Sequence, residues 1–318
     1  MQERSGAGTL GATLFALPRS PYVLLAFSSA CWAGNILVGR AVHLQMSAIT
    51  LAFWRWSIAA LIILVMTLPA IVAWRRELLR QWRYLALMGL LGVALFHWMY
   101  YIALHHTQAL NAAIISSVTP AAIVLTSWLM TRETITWRQS AGVLISILGV
   151  LIIITKGDPR ALLHLRLNVG DLWALATVPC WGFYTVLLRR HRSVAPPMAE
   201  LAVMITVGAL LLTPFYAWEL ATVGLFQVNP ATLGTVVYIS LFGSVLAYLS
   251  WNSGVAQVGP NKAGLFLHLI PVFTTVLAIA FLGERLYVHH GLGALLIIGG
   301  IYLVTANTLR VALAERDA

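Results

Sequence analysis

The chain has 318 residues, of which only 20 Lys/Arg and 10 Asp/Glu carry charge, 9% against roughly 25% in a soluble domain. Apolar residues reach 60% and mean hydropathy is +0.86, more than one water-soluble core absorbs, which excludes an ordinary cytosolic enzyme, a disordered chain and a disulfide scaffold. The net charge of +10 would suggest nucleic acid for a soluble protein, but so few charges leave no basic stripe, so the expected solvent is the bilayer.

Residues 1–20 read as a cytoplasmic tail, because the apolar patch Leu10 to Leu17 is too short to span and no cleavage site follows it. A spanning helix needs about 20 mostly apolar residues. That ruler predicts ten spans: 22–39, 47–72, 82–104, 109–130, 137–155, 170–188, 197–218, 231–254, 261–282 and 288–309. The runs are continuous rather than alternating, which predicts helices and not barrel strands. A basic connection, 156–169, is expected outside the cell, and 311–318 form a second cytoplasmic tail.

Orientation follows from the Lys/Arg asymmetry of the connections. Arg4, Arg19, Arg75, Arg76, Arg80, Arg83, Arg132, Arg138, Arg189, Arg190, Arg192, Lys262, Arg310 and Arg316 fall on one side. Arg40, Lys156, Arg160, Arg166 and Arg285 fall on the other, which predicts both termini in the cytoplasm.

The chain also matches itself at about half its length. Cys31-Trp32 falls on Cys180-Trp181 at an offset of 149, and Pro120, Glu133, Gly142 and Gly149 fall on Pro271, Glu284, Gly293 and Gly300 at 151. Residues 21–155 and 170–310 are thus predicted to be two five-helix copies. An odd number of spans per copy inverts the second relative to the first, a transporter signature with the substrate site near the midplane. Two such copies, each with a proline in its fourth helix and a glutamate at that helix's end (Pro120/Glu133 and Pro271/Glu284), resemble the drug/metabolite transporter superfamily, EamA type. The aromatic interior is similar to that of the YddG-like exporters of aromatic and neutral amino acids. The resemblance implies ten helices, cytoplasmic termini and a central cavity lined by both halves.

Candidate site residues come from repeat-equivalent helices. His97, Tyr100 and Tyr101 share a helical face, and adding 151 gives Tyr248, Trp251 and Asn252. Trp32 and Asn35 in the first helix correspond to Trp181 and Tyr184 in the sixth. Polar atoms facing lipid are costly, so these stripes are expected to face inward and line an aromatic cavity; interhelical packing or an interfacial belt is the alternative. Pro120, Pro271 and Pro179 each remove a backbone donor and are expected to break or hinge their helices. Arg55, inside the second span, reads either as snorkelling or as one member of an ion pair. Lys262 opens the ninth span six residues before His268, and both join the substrate-binding candidates.

With no mid-span acid and no Walker A, HExxH or Gly-x-Ser-x-Gly pattern, the expected function is a bacterial inner-membrane secondary transporter or facilitator. It would export small amphipathic metabolites, foremost aromatic and neutral amino acids, by alternating access. Transport of another metabolite (a drug-like cation or a sugar conjugate) and an embedded enzyme acting on a lipid-like substrate are the alternatives. No cofactor, metal or nucleic acid is expected. The partners are the substrate and the bilayer, with the chain as a monomer or weak homodimer.

Overall fold

The computed structural model describes residues 20–41, 45–191 and 193–314, so the expected tails lie outside the described residues apart from Ser20 and the end of the last helix. Among the described residues ten helices are long and apolar enough to cross a membrane. In chain order they are α1 (Pro21–Ala41), α2 (Ala48–Arg80), α3 (Trp82–Gly89, Leu90–Leu95 and Phe96–His106), α4 (Ala109–Ser116 and Thr119–Thr131) and α5 (Trp137–Ile154). The second set is α6 (Val169–Arg190), α7 (Pro197–Thr222), α8 (Pro230–Tyr238, Ile239–Leu246 and Ala247–Val258), α9 (Pro260–Leu265, Phe266–His268 and Leu269–Leu282) and α10 (Val288–Ala314). An even number of spans puts the start of α1 and the end of α10 at one face, called here the terminal face, with the opposite face across the bundle.

Side chains set the helix ends. Ser47 accepts from the Thr50 amide to start α2, and capping boxes start α5 (Thr136, Gln139), α6 (Asn168, Asp171) and α8 (Asn229, Thr232). Each satisfies orphan amides of the first turn. The fourth helix of each copy stops on a left-handed residue at equivalent positions, Arg132 (φ 57°) and Gly283 (φ 67°). Glycine takes that conformation without the Cβ clash that arginine carries. Arg132→Gly is therefore expected to stabilise the protein by about 0.5–1 kcal/mol, read as a higher melting temperature in detergent; no rise would show that the Arg132–Trp128 cation–π contact at 5.2 Å outweighs the strain.

The two copies are interleaved. α1 packs on α8 and α9, and by symmetry α6 packs on α3 and α4; α2 packs on α7 and α8, and α7 on α3. The equivalent pairs α2–α7, α4–α9 and α5–α10 face each other across a pseudo-two-fold axis. The α5–α10 crossing is reciprocal at atomic level. A Cβ on Gly142 would lie 2.7 Å from the Gly300 carbonyl and one on Gly149 would lie 2.6 Å from that of Gly293. Residue numbers rise on one helix as they fall on the other, so the helices run antiparallel, as inverted copies require. Close approach of backbones through small residues is how membrane helices gain packing when lipid offers no hydrophobic drive.

Candidate functional site

The third helix of each copy contains a stretch of π-helix at equivalent places, Leu90–Leu95 in α3 and Ile239–Leu246 in α8. A π turn takes one extra residue and re-aims the carbonyls around it, and such turns recur at functional sites. Here the re-aimed carbonyls belong to equivalent glycines. Gly92 O accepts from the Tyr248 hydroxyl at 2.6 Å. Gly243 O accepts from Trp32 Nε1 at 3.1 Å and from Arg55 Nη2 at 2.8 Å. The missing side chains also admit the first helix of the other copy: a Cβ on Gly92 would meet the Tyr184 ring at 2.5 Å, and one on Gly243 would sit 3.3 Å from Asn35. Asn35 and Tyr184 are themselves repeat-equivalent, so the same joint is built twice.

Between these joints lies an aromatic cluster. Trp32 and Trp181, equivalent to each other, meet edge to face at 5.5 Å across the axis. Trp251 lies 5.5 Å from Trp32 and 5.8 Å from Trp181, and Tyr248 lies 6.1 Å and 5.7 Å from them. Tyr184 stacks on Trp181 at 5.2 Å and donates its hydroxyl to Asn252 Oδ1 at 3.0 Å. Phe96 touches Trp181 at 5.4 Å, while Trp56 bridges His97 (5.0 Å) and Tyr248 (5.1 Å). Such tilted and T-shaped pairs contribute about 0.5–1.5 kcal/mol each beyond burial.

The structure thus brings together Trp32, Asn35, His97, Trp181, Tyr184, Tyr248, Trp251 and Asn252. Tyr100 stands at the rim, stacked on Phe96 at 6.1 Å. The Tyr101 side chain lies outside the described residues. Trp56, Tyr184, Tyr248 and Trp251 are buried, whereas Trp32, Asn35, Tyr100 and Asn252 are partly exposed. A pocket lined by Leu110, Ala113, Ile154, Thr155, Lys156 and Ala161 contains none of the cluster residues.

The broken helices meet on the same axis. α4 is interrupted after Ser116 and resumes at Thr119 with Pro120 in its first turn; α9 passes through a tight turn at Phe266–His268 before Pro271. At each break a carbonyl accepts a side-chain hydrogen bond from another helix. His268 Nε2 donates to Ser117 O at 2.9 Å, and Ser29 Oγ donates to Phe266 O at 2.7 Å. Ser117 and His268 are equivalent positions, so this bond also crosses the axis. Pro179 differs from the expectation: α6 runs unbroken from Val169 to Arg190, because a proline's cost is tolerated where neighbouring groups satisfy the backbone. Lys262 stands in the first turn of α9 at the terminal face.

Arg55 does not snorkel, and among the described residues it forms no ion pair. It is 4% exposed, and its Nε donates to Ser244 Oγ at 2.7 Å alongside the bond to Gly243 O. Sequence reasoning also missed two buried carboxylates near the opposite face. Asp171 accepts from Thr107 Oγ1, from Asn111 Nδ2 at 3.0 Å and from the Asn168 amide at 2.8 Å. Glu219 accepts from Thr50 Oγ1 at 3.2 Å; α7 runs four residues beyond the predicted span end, to Thr222, and carries it into the bundle. Trp56 and Phe96 were missed as cluster members, although Trp56 adjoins the in-span Arg55 and Phe96 adjoins the candidate His97.

Comparison with known proteins follows the same division into copies. The profile of the EamA-like transporter family matches residues 19–155 and again 168–306. The chain is 27% identical to "Uncharacterized transporter YyaM" of Bacillus subtilis over 82% of this chain and 85% of that protein. It is 26% identical to the "Probable terminal-alkyne amino-acid exporter" of Streptantibioticus cattleyicolor over 74% and 77%. A solved crystal structure covers 92% of this chain and 99% of its own with a TM-score of 0.74 at 20% identity, a likeness of fold.

Proposed function

Since the chain belongs to the EamA-like transporter family, we propose that it is a secondary transporter or facilitator that exports small amphipathic metabolites, foremost aromatic and neutral amino acids. The observation that carries this reading is the aromatic cluster on the pseudo-two-fold axis, with Trp32 and Trp181 facing each other from equivalent helices. A site on that axis is reached from either face when the two copies rock. Breaks in α4 and α9 supply the hinges. His268 Nδ1 is buried without a partner. With Nε2 donating to Ser117 O it is an acceptor, suited to a substrate ammonium. The name of the Streptantibioticus relative supports the amino-acid class. The basic connections support a chain with both termini in the cytoplasm of a bacterial cell, in its inner membrane.

The test is efflux from proteoliposomes loaded with Trp, Phe, Met, Thr or Asp. Flux of Trp and Phe above that of empty vesicles is expected, and no amino-acid flux at all would sink the reading. Trp181→Leu keeps apolar bulk but removes the ring that touches Trp32, Trp251 and Tyr184. Its efflux of Phe, normalised to reconstituted protein, should fall by roughly tenfold, the loss of about one good ring contact.

A further inference from the structure

Arg55 is a full charge held where charge is expensive. An arginine keeps its proton in a protein interior, and a lone cation at membrane depth is retained for a function more often than for packing. Its two hydrogen bonds go to neutral acceptors, Ser244 Oγ and Gly243 O, while a guanidinium has five N–H donors. Among the described residues no carboxylate pairs with it. The acids buried among the described residues are committed elsewhere: Asp171 to Thr107, Asn111 and Asn168, and Glu219 to Thr50.

Its surroundings add further donors. The guanidinium lies 4.8 Å from the Trp56 ring centroid, and Trp56 joins it to the aromatic cluster through Tyr248. The indole N–H groups of Trp56, Trp181 and Trp251 are all buried without an acceptor. Native proteins leave few buried donors unsatisfied; with one of the three beside Arg55 and two more in the cluster that Trp56 joins, the region has donors in excess of acceptors. Both acceptors that Arg55 does use lie in the π segment of α8, and Ser244 Oγ also donates to Ile239 O at 3.2 Å.

We propose that Arg55 is the receptor for a substrate carboxylate, which replaces Ser244 and Gly243 as its partner when the site is loaded. The transported class is therefore aromatic or apolar molecules bearing a carboxylate, and drug-like cations are excluded. This rests on the transporter reading above but narrows it. A bidentate guanidinium–carboxylate pair supplies both charge and orientation, and the cluster rings take the apolar body.

The experiment measures binding, as thermal shift of the purified wild-type protein, and counterflow in proteoliposomes, with four probes that share one ring: 3-phenylpropionate, L-phenylalanine, phenylalaninamide and phenethylamine. The two acids should bind at least about 30-fold more tightly than the amide and the amine, the loss typical of removing one partner of a buried charge pair. Arg55→Gln keeps donors for Gly243 and Ser244 but not the charge, and should reduce that preference to within about threefold; Arg55→Lys should restore part of it. A merely structural clamp between α2 and α8 would lower stability without moving the acid-to-amide ratio. Equal wild-type binding of acid and amide, or binding of neither acid, overturns the proposal, and neither result needs a variant to fold. Counterflow of phenylpropionate without any amino acid would refute the amino-acid reading and leave the carboxylate receptor standing. Equal counterflow of phenylalanine and its amide would do the reverse.

Discussion

Gly300→Leu should destabilise the protein by about 3 kcal/mol or more, the upper range for forced overpacking. The added Cβ alone would stand 2.2 Å from Ser146 Oγ and 2.5 Å from the Gly142 carbonyl. A serine hydroxyl can rotate aside, but a helix backbone cannot, so α5 and α10 must separate along the whole crossing. The reciprocal contact of Gly149 with Gly293 lies two turns away on the same seam and would loosen with it. Gly299→Leu provides the control. It sits one residue earlier on the same helix, is exposed, and has nothing within 4 Å of its Cβ position. The measurement is thermal or SDS-induced unfolding in detergent. Equal stability of the two variants would show that the crossing is not held by backbone approach.

Asp171→Ala should cost about 3 kcal/mol. The substitution leaves the Thr107 hydroxyl, the Asn111 amide and the Asn168 backbone N–H without their common acceptor. Buried donors that lose an ionised partner forfeit more than the net value of each bond. The same carboxylate completes the capping box of α6, so the helix start frays as the α3–α4 connection is released. Asp171→Asn should fall between, because one oxygen can keep the cap on Asn168 while its amide now faces Asn111 as a second donor. Unfolding free energies in detergent decide the matter; an alanine variant within about 0.5 kcal/mol of wild type would mean that the network contributes little. The terminal face has a network of its own, in which Gln81 donates to Glu200 at 2.8 Å and to Ser193 at 3.1 Å.

Much of the candidate site was legible because symmetry doubled the signal. One tryptophan in an apolar helix says little, but Trp32 and Trp181 at matching positions single each other out, and in the structure the two rings meet. The glycines matched at an offset of 151 touch across the repeat. Trp56 and Phe96 were not legible as cluster members, because neither has an aromatic counterpart that would single it out. Asp171 and Asn111 lie 60 residues apart, and no pattern joins them. How tightly the rings pack is not legible for a related reason: aromatic stripes that face inward satisfy one pattern whether they line a space or fill it.

The sequence by itself determined the number of spans, the helical class, the duplication and its inversion. Each follows from sums over many residues, hydropathy over about 20 positions or identity over a half-chain, where single exceptions average out. The tertiary structure alone decided which partner Arg55 found, that Gly92 and Gly243 present re-aimed carbonyls, and that Trp56 joins the cluster. Those outcomes depend on the rotation of each helix about its axis and its depth against its neighbours. An error of one residue, about 1.5 Å of rise and 100° of turn, replaces a buried hydrogen bond with a group facing lipid. Hydropathy is almost blind to that choice, whereas an unsatisfied polar group costs several kcal/mol in the bilayer core and settles it.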